Sequence, residues 1–393
     1  MRPSPARPHL RLGALALASL LAACGGGGGS DEQVPDGGNN SRVSVQFTEP
    51  AAQEVFTVGQ GLPVAARVAV DGADAADGTA VQFSAGSASA SGGTRAGVAT
   101  ATLGGVAAGR QQLGATATAG GTTASAARTV YLRPAPAPLQ VLVPAYFHPT
   151  GNGAAAWTAM AAGAAAHPGV RITAILNPSN GPSSRADAAI ANAAAGFVNA
   201  GGQLAGYVAT DWGKRSASTV KREIDAYFSY YPGLVKGIFL DEMAATSKEL
   251  AFYDDVYKYI KAKDASLLVI GNPGTIPVAG YADVADVLAT FEGKGSTYAG
   301  YDPRTPQADW LYAQPNTKQA ALVHNVANCA AMQTAVGAAA SARYQAGWVY
   351  MTSLQYEPST GVGNPWSGLP GYWTNLLDTV GSVNAGRTLP ACS

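Results

Sequence analysis

The chain has 393 residues, 47% of them hydrophobic and only 13% charged, and its 25 basic and 25 acidic side chains cancel. That balance gives no electrostatic reason to expect the basic face a phosphate backbone demands, so no nucleic-acid partner is expected. The length allows two domains, one of them large enough for a full barrel. Residues 1–23 read as an export signal, in which Arg2, Arg7 and Arg11 precede a short apolar run over 12–21. The run is too short to span a bilayer, and no later segment approaches the roughly 18 apolar residues that spanning requires.

The signal ends on Leu21-Ala22-Ala23-Cys24, which resembles the lipobox of bacterial lipoproteins. The resemblance implies cleavage before Cys24 and lipidation of that residue, with residues 24–41, Gly-rich and polar, as a flexible tether. Gly25 follows, not the Asp that retains enterobacterial lipoproteins in the inner membrane. The expected location is therefore the bacterial outer membrane, facing the periplasm or the cell surface. Cys329 and Cys392 remain, and in an oxidising compartment they are expected to form a disulfide tying the tail to a late helix; two free thiols are the alternative.

Residues 42–132 alternate with period two between Gly, Asp and Ser breaks. Seven strands are predicted there, over 43–47, 55–58, 63–70, 80–84, 98–103, 111–118 and 125–132. This spacing suggests an antiparallel sandwich of immunoglobulin type. Asp77 to Phe83 and Gly97 to Leu103 resemble bacterial Ig-like surface modules. No catalytic grouping occurs here, and a spacer role is preferred over carbohydrate binding. Arg133-Pro134-Ala135-Pro136-Ala137-Pro138 then reads as a semi-rigid polyproline linker and a domain boundary.

From 139 to 393 the pattern becomes strand-then-helix. Strands are predicted over 141–146, 172–176, 204–209, 238–240, 267–270, 287–291, 320–323 and 347–352, with helices over 154–166, 186–200, 218–230, 247–263, 330–344 and 372–380. Eight such strands fit an α/β fold of the (β/α)8 TIM-like class. Helices after the fifth and sixth strands are the least marked.

Catalytic groups of such barrels sit at strand C-termini. Gly237-Ile238-Phe239-Leu240 stops on Asp241-Glu242, and Val287-Leu288-Ala289-Thr290-Phe291 stops on Glu292. A buried strand tolerates charge at its end but not along its middle. Two strands that deliver acids to one rim suit glycoside cleavage, which needs a proton donor and a carboxylate that attacks carbon or activates water. Asp241, Glu292 and Glu242 are the candidate catalytic residues, Glu242 alternating away from Asp241. Candidate substrate-binding residues around the same rim are Tyr146, His148, Asn177, Asn180, Asp211, Trp212, Asn272 and His324. Tyr298, Tyr301, Trp310, Tyr312, Tyr356, Trp366, Tyr372 and Trp373 crowd the last third and are candidates for sugar stacking, with core or loop packing as the alternative. The acids suit a divalent cation as an alternative, but no cofactor and no metal are expected, and the histidines show no zinc spacing. A Ser–His–Asp hydrolase is disfavoured because no Gly-x-Ser-x-Gly elbow occurs.

Six ordered motifs carry a family resemblance: Val143-Pro144-Ala145-Tyr146, Asn177-Pro178-Ser179-Asn180-Gly181-Pro182, Gly206-Tyr207-Val208-Ala209-Thr210, the Gly237–Glu242 run, Asn272-Pro273-Gly274 and Phe291-Glu292. With them the 139–389 segment resembles the spherulation-specific family 4 (spherulin-4-like) proteins. The resemblance implies a (β/α)8 glycoside hydrolase related to enzymes acting on galactosamine-containing microbial exopolysaccharides. It further implies that Asp241, Glu242 and Glu292 are the site acids, Asp241 and Glu292 foremost, and that an α-linked galactosamine or N-acetylgalactosamine polymer is cut internally. Two departures lie at the rim: Asp211-Trp212-Gly213 replaces a Tyr-Gly turn, and Ser183 replaces a Gly. The expected protein is a monomeric, lipid-anchored glycosidase with a polysaccharide substrate; a non-catalytic glycan-binding lipoprotein is the alternative.

Overall fold

The computed structural model describes residues 42–392. The export signal, Cys24 and the 24–41 tether lie outside the described residues.

The N-terminal part is all-β. Its strands are β1 (Val43–Glu49), β2 (Val55–Thr57), β3 (Leu62–Val70), β4 (Ala73–Asp74), β5 (Ala80–Ala85), β6 (Ala88–Arg95), β7 (Val98–Leu103), β8 (Gly109–Ala119) and β9 (Thr122–Arg133). They follow the path β1-β3-β7-β6-β5-β8-β9-β2, with β4 on β3. The sheet folds over at β6, which pairs β5 with its first part and β7 through Thr94 and Arg95. Alternation sets the two faces, most clearly in β5, where Val81, Phe83 and Ala85 are buried and the residues between them exposed. These side chains join Phe47, Val68 and Leu113 in a core separate from that of the barrel. The β6 strand was not expected from sequence, because Ala-Ser-Ala-Ser-Gly-Gly-Thr-Arg lacks the β-branched and aromatic residues that favour strands. Its glycine serves the fold-over instead: a Cβ on Gly92 would lie 2.2 Å from the Thr100 carbonyl oxygen.

The rest is a closed barrel of eight parallel strands. In chain order it runs β10 (Gln140–Ala145), α1 (Asn152–Ala166), β11 (Ile172–Leu176), α2 (Ala188–Asn199), β12 (Gln203–Ala209), α3 (Ala217–Tyr230), β13 (Val235–Asp241) and α4 (Leu250–Lys263). It continues through β14 (Leu268–Gly271), β15 (Val287–Lys294), α5 (Gly295–Ala299), β16 (Gln319–His324), α6 (Cys329–Ala340), β17 (Trp348–Met351), the hairpin β18 (Tyr356–Glu357) and β19 (Val362–Gly363), and α7 (Trp373–Asn384). The strands are buried on both faces, which explains their near-continuous apolar sequence. The outer helices bury one stripe each, as in α3 (Val220, Ile224, Tyr227) and α4 (Tyr253, Val256, Ile260), at spacings of three and four. After β14 only a 3-10 turn, Ala279–Asp283, takes the helical place, and after β15 the five-residue α5 and a 3-10 turn, Asp309–Ala313, do so. Cys329 and Cys392 are joined by a disulfide with Cα atoms 5.7 Å apart. No helix of the described residues is long and apolar enough to cross a membrane.

The proline segment is not a free spacer. Arg133 ends β9 and is 1% exposed, its guanidinium 4.3 Å above the Tyr312 ring and donating to the Tyr344 carbonyl at 2.7 Å. Asn316 both donates to and accepts from the Ala137 backbone, and Asn384 does the same at Leu139. Tyr131 meets Tyr312 at 4.3 Å, and Arg304 donates to the Gln53 carbonyl. Every barrel residue in this joint lies on a segment leading into a strand N-terminus or at the end of α7. The β-domain is therefore seated on the face opposite the strand C-termini.

Candidate active site

Three adjacent strands converge on one amide. The pairing of Leu240 with Gly271 brings Asp241 level with Asn272, which follows β14, and β15 brings Glu292 to the next position round the rim. Asn272 Nδ2 donates to Asp241 Oδ1 at 2.7 Å and to Glu292 Oε2 at 2.6 Å. Those two bonds to one nitrogen hold the two carboxylate oxygens no more than about 5.3 Å apart. The other Asp241 oxygen, Oδ2, accepts from the Tyr207 hydroxyl at 2.7 Å. Tyr207 lies on β12 between the Tyr146 ring, edge-on at 5.4 Å, and Phe239 at 6.1 Å. Asn272 Oδ1 accepts from Gly274 N at 3.0 Å, which fixes which way the side-chain amide points. A close approach beneath it needs Gly271, where a Cβ would stand 2.4 Å from Met243 Sδ.

The two acids are not equivalent. Burial and the Asp241 charge push the Glu292 carboxyl up to about 7, against the opposing pull of Asn272 and Trp366 hydrogen bonds. Burial also raises Asp241, but donors from Tyr207, Asn272 and the Glu242 backbone favour its anion. Asp241 draws on Tyr207, Asn272 and the Glu242 backbone N–H, Glu292 on Asn272 and Trp366 alone, and the Asp241 charge falls on Glu292, so Asp241 is the anion and Glu292 keeps its proton. Glu242 is raised by burial and by Asp241, with Arg215 opposing. Its side chain makes none of the contacts that join Asp241, Asn272 and Glu292. It stands instead in a left-handed turn at φ 50, which costs an L-residue about 1–2 kcal/mol.

The remaining candidates divide. Tyr146 borders the acids, and burial together with Asp241 raises its hydroxyl well above the ordinary tyrosine range. Trp212 is 51% exposed, with Lys214 Nζ 5.2 Å from its ring, and Asp211, Trp212 and Gly213 all have positive φ, at 47, 52 and 78. That run of left-handed residues carries the indole out at the mouth. His324 is buried, Nδ1 against Asn325 Oδ1 at 2.6 Å, with the Tyr356 and Trp366 rings edge-on. Its register partner is Lys294, two residues above Glu292 on β15, and Lys294 is ion-paired to Glu357 of the β18 hairpin. His148 and Asn177 make local contacts: His148 bonds Thr150 and Asp187, the N-cap of α2, and Asn177 accepts from Gly181 N. Asn180 is exposed in that same turn, at φ 53. Among the described residues no cluster of three or more His, Cys, Asp or Glu side chains is arranged to hold a metal ion.

Tyr207 was missed as a site residue, and Trp366, expected only as a stacking ring, stands instead beside Glu292. Tyr207 sits mid-strand in an apolar run, and only its register two residues before the rim distinguishes it from core. Trp366 arrives from a loop after β17, and no periodicity reports that placement.

The model of the family described as spherulation-specific family 4 matches residues 140–380. The chain belongs to that family. It is 39% identical over 183 residues to Spherulin-4 of Physarum polycephalum, a match covering 46% of this chain and 52% of the relative, so the chain spans about half the length of the curated relative. A crystal structure of Aspergillus clavatus Sph3 in complex with GalNAc is 25% identical, with TM-score 0.50, and the match covers 62% of this chain and 98% of that one. The family match takes in the whole barrel up to α7 and leaves the β-domain outside it.

Proposed function

We propose that this family member is a retaining glycoside hydrolase acting within a polysaccharide that contains N-acetylgalactosamine or galactosamine. The observation that carries the reading is the single Asn272 amide bridging Asp241 and Glu292. It keeps their facing oxygens within about 5.3 Å, which fits the short carboxyl spacing of retaining enzymes, about 5–5.5 Å, better than the 6.5–9.5 Å that leaves room for a water. The amino-sugar class rests on the Sph3 structure having been obtained with GalNAc.

In the first step Glu292 gives its proton to the glycosidic oxygen while Asp241 attacks the anomeric carbon. The carbon–oxygen bond breaks, and a glycosyl ester forms on Asp241. Glu292, now ionised, takes a proton from water as that water displaces Asp241, which restores both groups. Tyr207 and Asn272 hold Asp241 in its anionic, aimed form, and Trp212 offers a stacking face to a neighbouring sugar. We extend the proposal to the whole protein: an exported lipoprotein anchored through Cys24, whose Ig-like domain, seated opposite the acids, turns the site away from the membrane.

The test is release of reducing ends from an N-acetylgalactosamine-containing polysaccharide by the full chain, with Asp241→Asn and Glu292→Gln alongside. Hydrolysis lost in both variants supports the reading. Wild-type rates in either, or glycan binding without cleavage by the parent, overturn it.

A further inference from the structure

Thr210 and Tyr253 take no part in the chemistry above, yet both are fully buried beneath the Asp241–Glu242 turn. Thr210 Oγ1 lies 2.9 Å from the Asp241 carbonyl oxygen, 2.8 Å from that of Glu242 and 2.9 Å from the Tyr253 hydroxyl. Carbonyl oxygens only accept, so the one threonine proton is shared between those two carbonyls. Tyr253 must then donate to Thr210, and its oxygen in turn accepts from Ala244 N at 2.9 Å. Every direction in this chain is thereby fixed, and both hydroxyl-bearing side chains are shut away from water.

The same carbonyls bind the neighbouring loop. Thr210 N donates to Asp241 O at 3.0 Å, and Trp212 N donates to Glu242 O at 2.7 Å. Glu242, Asp211 and Trp212 are all left-handed, so the two loops hold unfavourable conformations facing one another. On the far side Met243 N donates to the Asn272 backbone carbonyl, tying the turn to the residue whose side-chain amide bridges the acids. One pair of buried hydroxyls therefore stands where the aim of Asp241 and the presentation of Trp212 meet.

We infer that Thr210 and Tyr253 are positioning residues, a hydroxyl pair that holds the left-handed turn after β13 and so keeps Asp241 on Asn272 and Trp212 at the mouth. The catalytic half of this inference rests on the hydrolase reading; the structural coupling does not. It is tested on the full chain with Thr210→Val, which keeps the shape and removes the hydroxyl, Thr210→Ser, which restores it, and Tyr253→Phe. Amide hydrogen exchange is read at residues 210–213 and 241–244, with β16 as internal reference, and kcat and KM are read on the polysaccharide.

Thr210→Val and Tyr253→Phe should exchange faster at both loops and not at β16. Their kcat should fall about 10- to 100-fold, as expected of a sub-ångström to 1 Å misplacement, with KM changed far less. Thr210→Ser should recover both readouts. Unchanged exchange at Trp212 in Thr210→Val overturns the inference, as does a serine variant as impaired as the valine one. Should the parent chain cleave nothing, the hydrolase reading alone falls, and the exchange comparison still decides the coupling.

Discussion

Glu292→Gln isolates the energetic consequence of placing two carboxyls on one amide. In the folded chain Glu292 is raised from 4.5 to about 7, chiefly by burial and then by the Asp241 charge. A carboxyl raised on folding binds its proton more tightly in the native state. Its stabilising contribution is present in full below about pH 4.5, declines between 4.5 and 7, and is gone above that. At 1.36 kcal/mol per pH unit the interval corresponds to roughly 3 kcal/mol. Glutamine cannot ionise, so the variant lacks this dependence. Urea unfolding of both proteins, followed by tryptophan fluorescence from pH 4 to 8, should show the variant gaining on its parent by roughly 3 kcal/mol across that range. The same proton governs rate: kcat/KM of the parent should fall about tenfold per pH unit above 7, while the variant loses about 10²- to 10⁴-fold at its optimum. A stability difference that stays flat with pH would refute the reasoning, because Glu292 would then titrate alike folded and unfolded.

Tyr207→Phe removes one of the two side-chain donors on Asp241; loss of a hydrogen bond to a charged group, about 1.5–3 kcal/mol, should lower kcat/KM by about 10- to 100-fold in a reducing-end assay. Trp212→Ala should raise KM for polymer by about 2- to 10-fold, the equivalent of a ring contact of 0.5–1.5 kcal/mol, and leave kcat near the parent value. Replacing Cys329 and Cys392 by serine opens a loop with a sequence separation of 63; chain entropy sets the cost at about 4 kcal/mol, measurable by urea unfolding.

Much of this protein was legible in its sequence for one reason: burial leaves a periodic trace. The eight barrel strands read as apolar runs because both faces are covered, and the acids announced themselves by closing such runs. The helical stripes of α3 and α4 followed from spacings of three and four. Where burial leaves no trace the reading failed. The small polar residues of β6 form a strand only because β5 and β7 flank it, and Arg133, written in a proline-rich stretch, gave no sign that it is buried on Tyr312. His148 and Asn177 stand at the rim by position, but their hydrogen bonds turn them to the loops beside them.

Sequence by itself determined the order of strands and helices, the family motifs and the residue types at the rim. Only the tertiary structure decided that Asp241 and Glu292 share one amide, that Tyr207 supplies the further bond making Asp241 the anion, and that the proline segment is docked rather than free. The reason is one of range. Periodicity records whether a side chain meets water or core, whereas a proton's position depends on distances of a few ångströms between residues dozens of positions apart, and those distances exist only once the barrel has closed.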